Sequence, residues 1–352
     1  PTGILDLCRK IFLNLKVLNG ILKSSKGINV PHVKIGGALI TNRDKNMIKF
    51  AVQNKVDFIG ISFVESGKHI DKIRKIINSD TPLIVAKVEN SRGLENLDDI
   101  VSHADVIMID RGDLSTETNI ETLPINQKKI IQKSLNYCKP IIVATEMLDN
   151  MIKSPYPTKA EVLDISNSIQ DGATATMLSG ETAIGDFPIE SIKVMSKIAS
   201  TTISSKHEKK IIESEKSYTE ISGIASAIKL LCESLEIHKI VTITISGFAA
   251  RIVSSQNLPQ PIIAISNNLE LSKTFNIFNN TTGVFYNTRF YNDKLEHIQK
   301  CLHYLWKKKH INDKDKILVT ALGFPTSGRR MNIIQTHYVK DLTQRLSWRK
   351  VD

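Results

Sequence analysis

Four cysteines in 352 residues, Cys8, Cys138, Cys232 and Cys301, are too few and too scattered for a disulfide framework or a cysteine-based metal site. A reducing compartment fits that usage. No stretch approaches the roughly 20 uninterrupted apolar residues of a membrane span, and no charged-then-apolar leader opens the chain. No membrane partner is expected. Aromatic residues make up only 6% of the chain, and no recognition motif accompanies the basic excess, a net charge of +11. The lysines are dispersed, and denser clusters such as Lys307-Lys308-Lys309 end helical patterns, where cations suit the helix dipole. No nucleic-acid partner is expected. The first residue is Pro1, so an N-terminal piece, with any targeting region, is expected to lie outside this sequence. The expected compartment is the cytoplasm, with a plastid-type organelle as the alternative.

What is present is a globular composition, 41% hydrophobic and 24% charged, enough for one large domain or two ordinary ones with real cores. Short apolar runs (Val56–Val64, Leu83–Val88, Asp105–Ile109, Ile141–Ala144, Ala175–Leu178) alternate with amphipathic helical patterns over His69–Asn78, Ile125–Tyr137 and Ile189–Ala199. This is the βα rhythm of a parallel sheet. Thr41 followed by Asp44 reads as a capping box, and Pro188 suits a helix's first turn. After a polar bridge around Thr201–Ser217 the rhythm resumes with strand candidates Ile240–Ile245, Ile262–Ile265 and Ile317–Thr320, which reads as a second, smaller α/β domain.

The apolar runs of the first domain end in SFVES, AKVEN, IDRGDL, ATEML and MLSGE. In a (β/α) barrel the C-terminal strand ends form the active-site face, so Lys87, Glu89, Asp113, Thr145 and Ser179 would converge on one mouth. Two carboxylates from adjacent strands, Glu89 and Asp113, can hold one hard divalent cation and leave positions open for substrate oxygens. Strand side chains alternate faces, so Lys87 and Glu89 point the same way. An ammonium beside such a site stabilises charge on a transferring phosphoryl group or an enolate. Gly112 lets a substrate approach the backbone. Each residue alone has a plainer account: Lys87 snorkelling from a strand end, Glu89 starting a helix, Thr145 or Ser179 as an ordinary polar strand end. Arg111-Gly112-Asp113 also spells an adhesion tripeptide. The conjunction across successive strand ends favours the catalytic reading.

At these residues the chain resembles the pyruvate kinase family. The blocks that carry the resemblance are KGINVP (Lys26–Pro31), VDFIGISFV, AKVEN, RGDL, KPIIVATEMLDNMI (Lys139–Ile152), PTKAEV (Pro157–Val162), MLSGETAIGDFP (Met177–Pro188) and ITISGFAARIVS. The resemblance implies a partial (β/α)8 barrel followed by a smaller α/β C-terminal domain. Its expected boundaries are 1–33 for a remnant of an inserted β lid domain, 34–200 for the barrel portion, 201–220 for a linker and 221–352 for the C-terminal domain. It implies transfer of a phosphoryl group from phosphoenolpyruvate to ADP, giving pyruvate and ATP, with Mg2+ (or Mn2+) and K+ as cofactors and a homotetramer as the assembly. Lys87 would stabilise the transition state, and Glu89 and Asp113 would ligate the metal. The Gly112 and Asp113 amides would hold the substrate carboxylate, Thr145 would contact substrate near the protonation site, and Ser179 and Glu181 would line the mouth. Lys26 would face the nucleotide, and Thr244, Ser246 and Gly247 match the loop that cradles a sugar-phosphate effector in some members, with Arg329 and Arg330 of this sequence as a substitute anion contact.

Departures accompany the match. The family's first barrel strands and its K+ ligands are not in this sequence, so about five of the eight strands of such a barrel are encoded. The chain is expected to be a fragment or to be completed by another piece, since an open barrel exposes strand edges. Ser115 replaces a glycine, Glu146 a glutamine, Tyr156 an arginine, Arg92 an acidic residue and Glu65 a basic one; Ile245 and Ala249 replace polar positions. The expectation is altered subunit contacts and kinetics rather than a dead site. At Thr244 a plain βα turn without an effector is the favoured reading over the effector site. For the chain as a whole the alternatives are a non-catalytic regulatory or interaction module and another magnesium-dependent enolate-forming barrel enzyme. The retained Lys87, Glu89, Asp113 and Thr145 weigh against the first, and the ATEMLDNMI and MLSGETA blocks weigh against the second.

Overall fold

A computed structural model describes residues 40–205, 220–290, 295–321 and 331–348. Lys26, Arg329, Arg330 and the segment 1–33 lie outside the described residues, as does most of the expected linker.

The first unit is a five-stranded, wholly parallel sheet in the order β1 (Phe58–Ile61), β2 (Leu83–Val88), β3 (Val106–Asp110), β4 (Ile141–Ala144), β5 (Ala175–Met177). Helices α1 (Asn42–Gln53), α2 (Gly67–Ile77), α3 (Ser91–Glu95), α4 (Leu97–His103), α5 (Arg111–Glu117), α6 (Leu123–Asn136), α7 (Lys159–Asp171), α8 (Gly180–Ala183) and α9 (Pro188–Ser204) precede, link and follow the strands. The capping box is present: Thr41 Oγ1 accepts from the Asp44 amide at 3.2 Å and Asp44 accepts from the Thr41 amide at 2.8 Å. A second one, Thr158 with Glu161, starts α7. Because α9 continues through Ser204, the first residues of the expected linker are helical.

Strand alternation divides the sheet into two faces. Ile84, Ala86 and Val88 of β2, Ile107 and Ile109 of β3 and Val143 of β4 pack under the helices with Ile70, Ile73, Ile100, Ile130 and Ile165. Val85, Val106, Met108 and Ala144 occupy the other face. That face also carries Lys87, Glu89 and Asp110, two or four residues further along the same rows. The outer strands β1 and β5 have no further strand partner among the described residues. Ile189 and Ile192 of α9 stand 56% and 52% exposed.

The second unit is a five-stranded sheet in the order β10-β9-β6-β7-β8. It comprises α10 (Glu220–Ser234), β6 (Lys239–Ile243), α11 (Phe248–Ser254), β7 (Ile262–Ser266), α12 (Leu269–Thr274), β8 (Thr281–Phe285), α13 (Glu296–Lys307), β9 (Lys316–Ala321), β10 (Ile333–Tyr338) and α14 (Val339–Arg345). β10 alone runs antiparallel, against β9. Among the described residues no helix is long and apolar enough to cross a membrane.

Candidate active site

The C-terminal ends of β1–β5 are tied to one another by charged side chains. Lys87 Nζ lies 2.5 Å from Glu89 Oε1 and 3.0 Å from Asp110 Oδ2, bridging β2 to β3. Glu89, wholly buried, accepts the Phe63 amide at 2.5 Å through its other oxygen, bridging β2 to the end of β1. Arg111, 5% exposed, donates to the Thr145 and Glu146 carbonyls and pairs with Asp164 at 2.5 Å, bridging β3 to β4 and α7. Glu181, 2% exposed, accepts the Leu148 amide at 2.9 Å and the Ser179 amide at 2.8 Å, bridging β4 to β5.

Electrostatics follow from this burial. Burial pulls the Lys87 ammonium down, but hydrogen bonds to Glu89 and Asp110, together with their charges, outweigh it and hold its pKa above the ordinary lysine value. Burial pushes the Glu89 carboxyl above the ordinary glutamate value, against the lowering by Lys87 and the Phe63 amide.

Glu89, Asp110 and Asp113 bring carboxylate oxygens to within 4.8 Å of one another. Three hard, anionic donors on the rim of a strand-end mouth fit a divalent cation that prefers oxygen. The sequence reading had two of the three. Asp110 escaped it; the register of β3 against β2, Lys87 opposite Met108, places it on the face of Lys87 and Glu89. Arg111 was read within the RGDL block and an adhesion tripeptide, and its burial removes the adhesion reading.

Gly112 donates its amide to Thr145 Oγ1 at 2.9 Å, and Thr145 Oγ1 donates to the Ala144 carbonyl at 2.6 Å. The Gly112 amide, expected to face a substrate carboxylate, is thus occupied by the threonine. Ser179 is half-buried at the end of β5, and the hydrogen bond of its amide to Glu181 ties it to the β4 loop.

In the second unit Thr244 Oγ1 accepts the Gly247 amide at 3.1 Å, Ser246 is exposed, and Gly247 takes φ +80°. The threonine hydroxyl closes its own βα turn. Of the departures in the first unit, Ser115 Oγ donates to the Gly112 carbonyl at 2.9 Å, Glu146 is exposed, and Tyr156 is 75% exposed.

A parallel βα sheet with a lysine and three carboxylates at its strand ends, followed by a second α/β unit, defines a barrel-type α/β protein with a carboxylate cluster that could hold a hard cation. Two family models match the chain, the pyruvate kinase barrel domain over residues 6–192 and the pyruvate kinase alpha/beta domain over residues 222–337. The chain belongs to the pyruvate kinase family. It is similar to pyruvate kinase of Bacillus licheniformis, 35% identical over 335 residues covering 93% of this chain and 57% of the relative. It is 41% identical to that of Thermotoga maritima over 256 residues, 71% of this chain and 54% of the relative. A solved pyruvate kinase from Cryptosporidium parvum superposes with a TM-score of 0.75 at 29% identity, covering 88% of this chain and 64% of that one. The chain thus spans less than three-fifths of the length of these curated relatives.

Proposed function

We propose that this chain supplies the lysine, carboxylate and threonine groups of a pyruvate kinase site, moving a phosphoryl group from phosphoenolpyruvate to ADP and leaving an enolate that is protonated to pyruvate. The observation that carries the reading is the meeting of Lys87 with Glu89 and Asp110 at 2.5 and 3.0 Å beside Asp113. The strand-tying contacts of Lys87 and Glu89 account for one ammonium and two carboxylates, and Asp113 adds a third carboxylate beside them.

Glu89, Asp110 and Asp113 would hold Mg2+ or Mn2+, which when bound supplies positive charge against the phosphoryl and enolate oxygens. Lys87 delivers its ammonium on the same face, where charge develops as the phosphoryl group leaves the enolate oxygen. The backbone amides of Gly112 and Asp113, at the start of α5, face the substrate carboxylate. Its arrival exchanges the Gly112–Thr145 hydrogen bond for one to substrate and frees the Thr145 hydroxyl. Thr145 then lies where the enolate carbon is protonated. K+ and a homotetrameric assembly belong to the same proposal, with the exposed Tyr156 available to a subunit contact.

The test is Mg2+- and ADP-dependent pyruvate release from phosphoenolpyruvate, comparing this chain alone with the chain extended by its natural upstream sequence. Release by the extended form supports the reading. Absence of release from both, with both folded, favours the non-catalytic module.

A further inference from the structure

One buried cation at the mouth is not used by the proposed chemistry. Arg111 Nε and Nη2 donate to the Thr145 carbonyl at 3.0 and 2.6 Å, Nη2 donates to the Glu146 carbonyl at 2.7 Å, and Nη1 pairs with Asp164 Oδ2 of α7 at 2.5 Å. The two residues whose carbonyls it takes are consecutive and both left-handed, Thr145 at φ +69° and Glu146 at φ +53°. A β-branched residue in that region is a genuine outlier, held only where the surroundings over-determine it. A planar guanidinium fork can serve two carbonyls and a carboxylate in one fixed arrangement, whereas an ammonium is a point charge without that geometry. The consequence of the turn is the placement of Thr145 Oγ1, 2.9 Å from the Gly112 amide.

We propose that Arg111, anchored by Asp164, is a positioning residue that holds the Thr145–Glu146 turn left-handed and so sets where the Thr145 hydroxyl stands at the mouth. The inference rests on the reading of Thr145 as substrate-facing and adds the pair that aims it. A guanidinium that served only to satisfy buried carbonyls would act on stability alone. One that aims the threonine acts on turnover, and its loss is relieved by lowering the cost of the turn itself.

The test uses the natural full-length protein with R111K, D164N, D164E and the double variant R111K/E146G. R111K should lower kcat about 10- to 100-fold while KM for phosphoenolpyruvate changes by less than about threefold, the pattern of an interaction felt mainly in the transition state. D164N should lose less, about three- to tenfold, and D164E should regain most of it. Glycine takes the left-handed region without steric cost, so R111K/E146G should recover most of the turnover lost in R111K. A crystal structure of R111K, or of D164N should R111K not fold, should find Thr145 out of the left-handed region. Turnover in R111K within about twofold of wild type, no recovery on adding E146G, or an unchanged turn in the variant crystal would each overturn the proposal. If the wild type transfers no phosphoryl group, the proposed function fails, and the conformation of Thr145 in the variant crystal still decides this inference.

Discussion

Arg92 Nη1 lies 3.2 Å from Glu65 Oε2, so two of the departures from the family pattern meet each other. The resemblance implies a basic residue at the first position and an acidic one at the second, and this chain carries the two charges the other way round. The pair is roughly one-third exposed on each side, 37% and 32%, which limits its strength through solvent screening. Arg92→Glu alone should cost about 0.5–1 kcal/mol by setting two carboxylates together, and the double variant E65K/R92E should return to near wild-type stability. Urea unfolding of the four proteins of that cycle measures the coupling. Additive losses would show that the two side chains act independently.

Lys87 should be the most sensitive position for chemistry. Lys87→Met keeps the stem and removes the ammonium, and by analogy with loss of one electrostatic stabiliser should lower turnover about 10²–10³-fold. Initial rates of pyruvate formation at saturating Mg2+ and ADP measure it in the natural full-length protein, with circular dichroism to check folding. A loss below about tenfold would place the lysine outside the chemical step.

How much of this was readable beforehand depends on whether one strand or two are needed. Lys87 and Glu89 lie on one strand two residues apart, so period-two alternation alone puts them on one face. The part of Asp110 needed the register between strands, Lys87 opposite Met108, which no single stretch of sequence contains. Arg111 and Glu181 act through backbone carbonyls and amides of a neighbouring loop, contacts without a sequence signature. β8 was missed because Gly283 interrupts its pattern, and β10 because its residues are largely half-buried, giving no sustained apolar run. Lys26 was named from the resemblance alone, and it lies outside the described residues with Arg329 and Arg330.

Asp110 should matter to metal as well as to lysine. Asp110→Asn keeps the size of the side chain, removes one charge from the carboxylate trio and weakens the hold on Lys87 Nζ. We expect Mn2+ affinity, read by titration calorimetry, to fall about 10- to 100-fold. An unchanged affinity would leave Glu89 and Asp113 as the only carboxylate donors of the trio and make Asp110 an anchor for the lysine.

Stability should rise between pH 8 and 9 because of Lys139. Burial, with the nearby Arg251 charge, pulls its pKa from 10.5 down to about 8. Above that value the folded protein sheds a proton that the unfolded chain still holds, so the unfolded state binds more protons and stability increases with pH. Above pH 9 the slope should reverse, because burial pushes the Cys232 and Cys301 thiols up to about 11 and about 12 while unfolded thiols ionise near 9. Lys139→Met should flatten the rise between pH 8 and 9 and leave the fall above it. Guanidinium unfolding at half-unit pH steps reads both limbs, and a rise that persists in the variant would assign it to another group.

Gly247 is a position in the second unit where a single methyl group should do harm on two counts, backbone strain and overlap. Its φ of +80° lies where only glycine is at ease, and a Cβ there would stand 2.4 Å from Phe275 Cε1. Phe275 is 1% exposed and stacks on Phe278, with ring centroids 5.9 Å apart, so it has little room to retreat. Strain and overlap together should cost Gly247→Ala about 2–4 kcal/mol. Thr244→Ala only removes the acceptor of the Gly247 amide and should cost about 1 kcal/mol. The larger effect belongs to the residue without a side chain because the turn is set by backbone shape, and its hydrogen bond closes a shape already imposed. Thermal unfolding of the two variants side by side checks the order, and equal losses would assign the turn's stability to the threonine.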